Sequence, residues 1–286
     1  MQNLVQLCIN GVMTGLVYSL TAIGLTLIWG VMDLTNFSHS QFLMLGMYAS
    51  FWLYALLHLD PLLSLPVVAL LFFWLGIGTY RVFVKRVVSA PEELSRVLLT
   101  FALGLIISNV VLFLWTPNFR SIPEGITAGV LTLGPHRISV PKLVAALGSV
   151  VTSVALHLFL RRTRTGRALQ AVSMDREAAT IVGIDVQRMF ALAFGIGIGY
   201  AGLAGGFLSS FWYIYPEVGS IFILLTFAIV ALGGLGSVPG ALVGGIIVGL
   251  VENLAGFYIG PAFKYAVVFL MYLAVLVWRP KGLFGW

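Results

Sequence analysis

Uncharged, mostly apolar runs of about 20 residues recur along the chain, as in residues 4–23 and 97–115. A helix of that length matches the hydrocarbon thickness of a bilayer. The sequence is 60% hydrophobic and only 9% charged, which is more apolar surface than a soluble domain can bury. The chain is therefore predicted to be an all-α, polytopic transmembrane helix bundle, organised as one domain over 1–286.

About eight to nine spans are expected, with discontinuous or re-entrant elements among them. The predicted spans are 4–23, 41–58, 62–84, 97–115, 142–160, 189–213, 219–232, 240–253 and 262–278. Residues 117–141 are polar and rich in proline, with short alternating runs near 129–133 and 137–140, so they predict a small hairpin outside the membrane.

Twelve of the sixteen Lys and Arg residues lie in three segments, at 81–96, at 161–188 and at 279–281. Cytoplasmic loops carry such an excess of cations, so these three segments are predicted to be cytosolic. The net charge of +6 therefore reports membrane orientation and predicts no nucleic-acid partner. If every predicted span crosses the membrane, the amino terminus lies outside and the carboxy terminus inside. A re-entrant segment at 24–41 or at 219–240 would change that parity.

Residues 161–188 form the longest polar segment and hold six of the cations. Such a loop can serve the positive-inside rule alone. Its middle also reads as a short amphipathic helix, followed by a stop at 183–185 and a glycine-rich span, which favours a coupling helix on which a cytosolic machine docks. The apolar residues near helical spacing are Ala168, Leu169, Val172, Ala179, Val182 and Ile184.

An apolar run from Gly24 meets a cluster of polar residues before Gln41. This segment is either a short polar loop at the membrane surface or an irregular segment inside the membrane. Irregular backbone is tolerated there only where protein or a water-filled cavity satisfies its polar groups. In the second case, the side chains at 36–41 would line a path for solute.

Glycines at four-residue spacing recur in the later spans and favour close contact between helices. A second group of glycines interrupts the helical pattern before residue 240. The residues assigned to helix packing are Gly195, Gly199, Gly202, Gly206, Gly233, Gly234, Gly236 and Gly240.

No motif for nucleotide binding, zinc hydrolysis or a serine nucleophile occurs in the sequence, and Cys8 is its one cysteine. The chain is therefore not expected to be an enzyme or to hold a cofactor or metal. Asp33, His39 and Glu252 are the ionisable residues within predicted membrane depth, and they are too scattered for a proton relay. An ion-coupled secondary transporter is the alternative class; it would need carboxylates or unwound carbonyl sites near the midplane.

Several blocks of the sequence resemble the permease subunits of branched-chain amino acid ABC importers. These blocks are residues 24–32, 36–39, 166–172, 175–179, 183–185 and 232–241. The chain departs from that family's pattern at Ser40 and Gln41, where members more often have Gly and Glu.

The resemblance implies a subunit of an ATP-driven, binding-protein-dependent importer in the bacterial inner membrane. Implied partners are a second homologous permease (a heterodimer), two cytosolic ATP-binding subunits and a periplasmic or lipid-anchored solute-binding protein. Implied substrates are branched-chain or other hydrophobic amino acids, with urea, short amides or aromatic acids as alternatives. With the polar cluster, the resemblance assigns a translocation path to Asn36, Ser38, His39 and Gln41. It assigns ATPase coupling to Arg167, Asp175, Arg176, Glu177, Ala178, Ala179, Gly183 and Asp185.

Overall fold

The computed structural model describes residues 2–88, 92–122, 129–279 and 282–284, and helices dominate this part of the chain. In chain order the elements are α1 Gln2–Met32, α2 His39–Leu57, α3 Pro61–Thr79, a π-helix Tyr80–Val84, α4 Lys85–Val87, α5 Glu93–Trp115, β1 Val130–Leu133, β2 His136–Ser139, α6 Val140–Arg162, α7 Arg164–Met174, α8 Arg176–Ile181, α9 Val186–Leu208, α10 Val218–Gly233, α11 Val238–Tyr258 and α12 Lys264–Trp278.

Within the described residues, seven helices are long and apolar enough to cross a bilayer, and two shorter apolar helices, α10 and α12, accompany them. These are the nine apolar spans that the sequence predicts. The fold is a polytopic helical bundle, as predicted. The extracellular hairpin prediction matches β1 and β2, which pair antiparallel with Val130 opposite Ser139.

Helix α1 is the centre of the bundle and packs against α6, α9, α10 and α11. The predicted end of its span at residue 23 is wrong, since the helix continues to Met32. Residues 24–32 stay helical because they pack inside the protein: a Cβ on Gly24 would lie 3.1 Å from the Cβ of Tyr200, and the side chain of Ile28 is fully buried.

The irregular segment predicted over 24–41 is confined to residues 33–38, since α2 begins at His39. The His39 imidazole reaches the carbonyl of Thr21, which lies eleven residues before the end of α1. At 1.5 Å per helical residue, α2 begins roughly 16 Å back along α1 from the point where α1 ends. Residues 33–38 are therefore a non-helical stretch that runs back into the bundle.

Glycine allows the central helices to approach almost backbone to backbone. Between α1 and α11, a Cβ on Gly15 would lie 2.8 Å from the Cα of Ile246. Between α9 and α3, a Cβ on Gly202 would lie 2.8 Å from the Cβ of Phe72. Such contacts hold membrane helices together by dispersion, because lipid supplies no hydrophobic driving force between them.

The cation-rich segments share one end of the bundle. There the Arg96 guanidinium donates to the backbone carbonyl of Asp33, and the backbone N–H of Leu283 donates to the carbonyl of Leu232. At the other end, the Gln6 amide donates to the carbonyl of Arg137 in the hairpin. The amino terminus therefore lies opposite the cation clusters, which is the outer side by the positive-inside rule.

Gly76→Ala and Gly78→Ala are a matched pair in α3. A Cβ at Gly76 would lie 2.9 Å from the Cα of Gly195, whereas one at Gly78 would meet nothing within 4 Å. Overpacking costs about 1–3 kcal/mol, while alanine in a helix gains up to about 1 kcal/mol over glycine. We expect thermal unfolding in lipid nanodiscs to occur at a lower temperature for Gly76→Ala and at an unchanged or higher one for Gly78→Ala. Equal midpoints would contradict the tight contact between α3 and α9.

Candidate functional site

Residues 161–188, here called the cytosolic platform, fold as two short helices rather than the single amphipathic helix predicted. Helix α7 ends at Met174, and α8 begins at Arg176. Asp175 between them is extended (φ −156°, ψ 112°) and accepts hydrogen bonds from the backbone N–H groups of Glu177 and Ala178. An aspartate with this pattern is an N-cap that satisfies the otherwise free donors of a helix start. The platform is thus an elbow with Asp175 at its corner.

Helix α7 is held firmly against the bundle. The Thr163 hydroxyl caps its start by accepting from the N–H of Gly166 at 2.9 Å. Gly166 itself lies so close to the end of α6 that a Cβ would be 2.6 Å from the Cα of Leu160. Leu169 and Val172 are fully buried on the inner face, where α7 contacts α1, α6 and α9. A push on α7 therefore reaches three long helices.

Helix α8 is attached more lightly. Ala179 is buried against the bundle, and the Arg176 guanidinium lies 5.3 Å from the centre of the Phe190 ring, a cation–π contact with α9. Gly183 follows the end of the helix with φ +84°, and a Cβ there would meet open space. Glycine is therefore required at this position by the backbone conformation and not by close packing. The Asp185 carboxylate then caps α9 by accepting from the N–H of Arg188.

The elbow leaves three large apolar side chains exposed, and we refer to them together as the apolar patch. Met174, Ile181 and Val182 are 87%, 85% and 73% exposed. They lie among cations at the cytosolic end, away from the lipid-facing lengths of the long helices. The sequence pattern places Val182 on one apolar face with Leu169 and Ala179, which are buried. Val182 is exposed instead, because α8 ends at Ile181 just before it.

Several of the residues predicted for coupling are exposed on the same platform. Arg167, Glu177 and Ala178 are exposed to solvent. The platform therefore exposes apolar and charged side chains together, as protein contact surfaces commonly do.

A cavity of about 270 Å³ separates α7 from the loop that precedes α11. Polar side chains line it, among them Gln170 and Ser173 of α7, Arg161 of α6 and Ser237 of the loop. Because α7 forms one wall, a tilt of the platform would change the shape of this cavity.

The glycines assigned to packing at 233–240 close the other side of this loop. Gly233 and Gly240 lie against each other, and a Cβ on Gly233 would be 2.7 Å from the backbone nitrogen of Ala241. Gly234 and Gly236 have positive φ. In α9, Gly195 and Gly206 pack against side chains of α3. A Cβ on Gly199 would lie 3.5 Å or more from its neighbours, so this glycine is less tightly enclosed.

The non-helical stretch at 33–38 is fixed by Thr100 of α5. Its hydroxyl donates to the carbonyl of Thr35 at 3.0 Å and accepts from the N–H of Phe37 at 3.2 Å. Thr100 is not among the residues predicted for this site, although a lone hydroxyl in the otherwise apolar stretch 97–107 is a possible signal.

Asn36, Ser38, His39 and Gln41 are all buried beside this stretch. The Asn36 side-chain oxygen accepts from both the N–H and the hydroxyl of Ser38, forming a closed local turn. His39 uses Nε2 to donate to the Thr21 carbonyl, because a carbonyl can only accept.

Three of these four residues keep a buried polar atom without a partner. These atoms are Nδ2 of Asn36, Nδ1 of His39 and Oε1 of Gln41, and the Thr21 hydroxyl joins them. An unpaired buried polar group costs about 1–3 kcal/mol. Four around one break in a helix indicate a place where water or solute supplies the missing partner.

The remaining ionisable groups do not extend this cluster. Asp33 is exposed at the cytosolic end. Glu252 is buried near the outer end, where its carboxylate accepts from the Lys264 ammonium at 2.6 Å. Within the described residues, no group of three or more potential metal ligands occurs.

Comparison with known proteins assigns the family. Residues 7–276 match the family described as the permease component of branched-chain amino acid transport systems. This chain belongs to that family. It is 30% identical to the high-affinity branched-chain amino acid transport permease LivH of Escherichia coli, over 96% of this chain and 94% of that protein. It is 29% identical to the corresponding permease BraD of Pseudomonas aeruginosa, over 98% and 95%.

A relative from a third organism belongs to the same class of permease. The probable branched-chain amino acid permease LivH of Methanocaldococcus jannaschii is 29% identical over 93% of this chain and 88% of that protein. No solved structure matches the chain. The protein is thus a multi-pass membrane permease of an ABC importer and not an enzyme, and such a permease works with ATPase subunits and a solute-binding protein.

Asp175→Ala should loosen α8 without unfolding the bundle. The variant loses the cap on two backbone N–H groups, worth about 1 kcal/mol, so amide hydrogen exchange over 176–181 should become faster. Asp175→Asn keeps a capping oxygen and should exchange like the natural protein. An unchanged exchange rate in Asp175→Ala would show that the Asp175 side chain does not stabilise α8.

Proposed function

We propose that this chain forms half of the translocation path of an importer for branched-chain amino acids, with the apolar patch as its contact with the ATPase subunits. The patch carries the proposal, because exposed Met174, Ile181 and Val182 at the cytosolic end need a partner that lipid does not provide. The substrate class rests on the relatives, which are branched-chain amino acid permeases over nearly their full length.

The proposed assembly lies in the cytoplasmic (inner) membrane and holds a second homologous permease, two ATP-binding subunits and an external solute-binding protein. The second permease would be a related chain, giving a heterodimer. The solute-binding protein would dock at the outer end, where the β1–β2 hairpin and the amino terminus meet.

Coupling in this proposal begins at the elbow. ATP binding draws the ATPase subunits together, and their surfaces carry α8 and the apolar patch with them. Because α7 is packed tightly on α1, α6 and α9, the displacement passes into the long helices as a tilt. The glycine contacts between those helices let them shift as rigid rods.

The path in this proposal runs past the break before α2. In this structure Asn36, His39 and Gln41 hold polar atoms without partners. A passing amino acid would meet these groups as the helices tilt, and its ammonium and carboxylate would exchange water for them one at a time. The apolar helices around the break would accommodate the aliphatic side chain.

Ile181→Glu tests the contact with the ATPase, and Thr180→Glu is its matched control. Both place a carboxylate at an exposed position of α8, but only Ile181 belongs to the apolar patch. Loss of an apolar anchor costs about 1–2 kcal/mol, or roughly tenfold in affinity. We expect about tenfold weaker ATPase binding and reduced substrate-stimulated ATP hydrolysis for Ile181→Glu, with normal membrane insertion. Equal stimulation in the two variants would contradict the patch.

Gln41→Cys in a Cys8→Ser background tests the path. During ATP-driven transport, a small thiol reagent should label this position several-fold faster than in the resting state, since the path opens to water. Ser64→Cys is the control, because Ser64 is also buried but is hydrogen-bonded to Ser50 and to the carbonyl of Pro61. If the labelling rate of Gln41→Cys were the same with and without turnover, the translocation path would not pass this position.

A further inference from the structure

A crevice opens at the side of the helix bundle, near its cytosolic end. Two clefts of about 580 and 550 Å³ meet there, the first between α3 and α6 and the second between α3, the π-helix and α9. Phe73, Arg188 and Leu192 line both clefts. One guanidinium thus stands between two largely apolar grooves.

Positively charged side chains line the second cleft of the crevice. Arg81 and Lys85 line the second cleft together with Arg188. Asp185 is the carboxylate among the lining residues, and it is engaged in capping α9 by accepting from the N–H of Arg188. Three cations therefore face one carboxylate, which leaves the crevice a surplus of positive charge.

The π-helix places two of these cations. Arg81 lies within it and Lys85 directly follows it, so both fall on the wall of the same cleft. Buried Tyr80 fixes that wall to α9, because its hydroxyl donates to the side-chain oxygen of Gln187 at 2.7 Å. A π-turn in a helix commonly marks a functional position.

We propose that this crevice binds an anionic phospholipid of the cytosolic leaflet. The phosphate lies against Arg188, Arg81 and Lys85, and the two acyl chains follow the two apolar clefts toward the membrane interior. Charge complementarity selects this occupant, because basic pockets between helices on the cytosolic side take anionic head groups. Exposed Trp74 lines the second cleft, where it would lie beside an acyl chain.

The test is lipid binding to the assembled importer, delipidated in detergent and titrated with phosphatidylglycerol or phosphatidylcholine while native mass spectrometry counts bound lipid. A cation near an anionic lipid contributes about 1 kcal/mol, which is roughly fivefold in affinity. The double variant Arg81→Gln, Lys85→Gln should therefore bind phosphatidylglycerol roughly 25-fold more weakly, from the same two contributions. Its phosphatidylcholine binding should not change.

Arg162→Gln is the matched control, since it removes a cation from the same end of the bundle but outside the crevice. It should bind phosphatidylglycerol like the natural chain. Equal loss in the control, equal binding of the two lipids, or full competition by inorganic phosphate would each overturn the proposal. A crevice found filled by a subunit of the importer would overturn it too.

A second measurement uses the natural chain. Phosphatidylglycerol with brominated acyl chains should quench part of the tryptophan fluorescence at low mole fraction, and that part should be absent in Trp74→Phe. Brominated phosphatidylcholine should produce no such component. Identical quenching of the natural chain and of Trp74→Phe would contradict a lipid seated in the crevice.

Discussion

Close contact between helix backbones is the constraint on which the rest of this structure depends. Gly15 and Gly245 bring α1 against α11, Gly233 lies against Gly240 between α10 and α11, and a side chain at any of these positions would collide with backbone atoms. Two further glycines bring helices beside the end of the stretch at 33–38: a Cβ on Gly24 would lie 3.1 Å from the His39 ring, and one on Gly104 would lie 3.4 Å from the backbone of residue 38. Helices this close leave no room for lipid at the polar groups there. The buried cluster around His39 is therefore a consequence of small residues elsewhere in the chain.

The same packing explains how a surface at one end can act on a path inside. Gly166 places α7 almost on the backbone of α6, and buried Leu169 fixes its inner face. Packed interiors transmit displacement because they have little free volume to absorb it. Helix α8, with one buried alanine and a cation–π contact, is the part that can follow a partner. The elbow at Asp175 thus joins the loosely attached helix α8 to helix α7, which is packed tightly on the bundle.

Hydropathy and charge predict most of the architecture, because span length and cation position are properties of the local sequence. They give the nine apolar helices, the cytosolic segments and the hairpin. They do not give the end of α1, since that region stays helical through packing inside the protein, as where Gly24 lies against α9. The apolar patch was missed for another reason: a helical pattern read through 168–184 assumes one continuous helix, whereas α7 ends at Met174 and α8 at Ile181, so the exposed side chains lie at helix ends. For the predicted path, the sequence supplied the residues, but only the fold shows which of their atoms lack partners.

Photocrosslinking from position 181 of the fully assembled importer tests the central claim most directly. A photoreactive amino acid at Ile181 should yield adducts with an ATPase subunit, whereas the same probe at Phe113, an exposed position of the membrane-spanning helix α5, should yield none. Adducts from position 181 that contain only lipid, or no ATPase adduct at all, would contradict the account of this elbow as the place where the motor engages the permease.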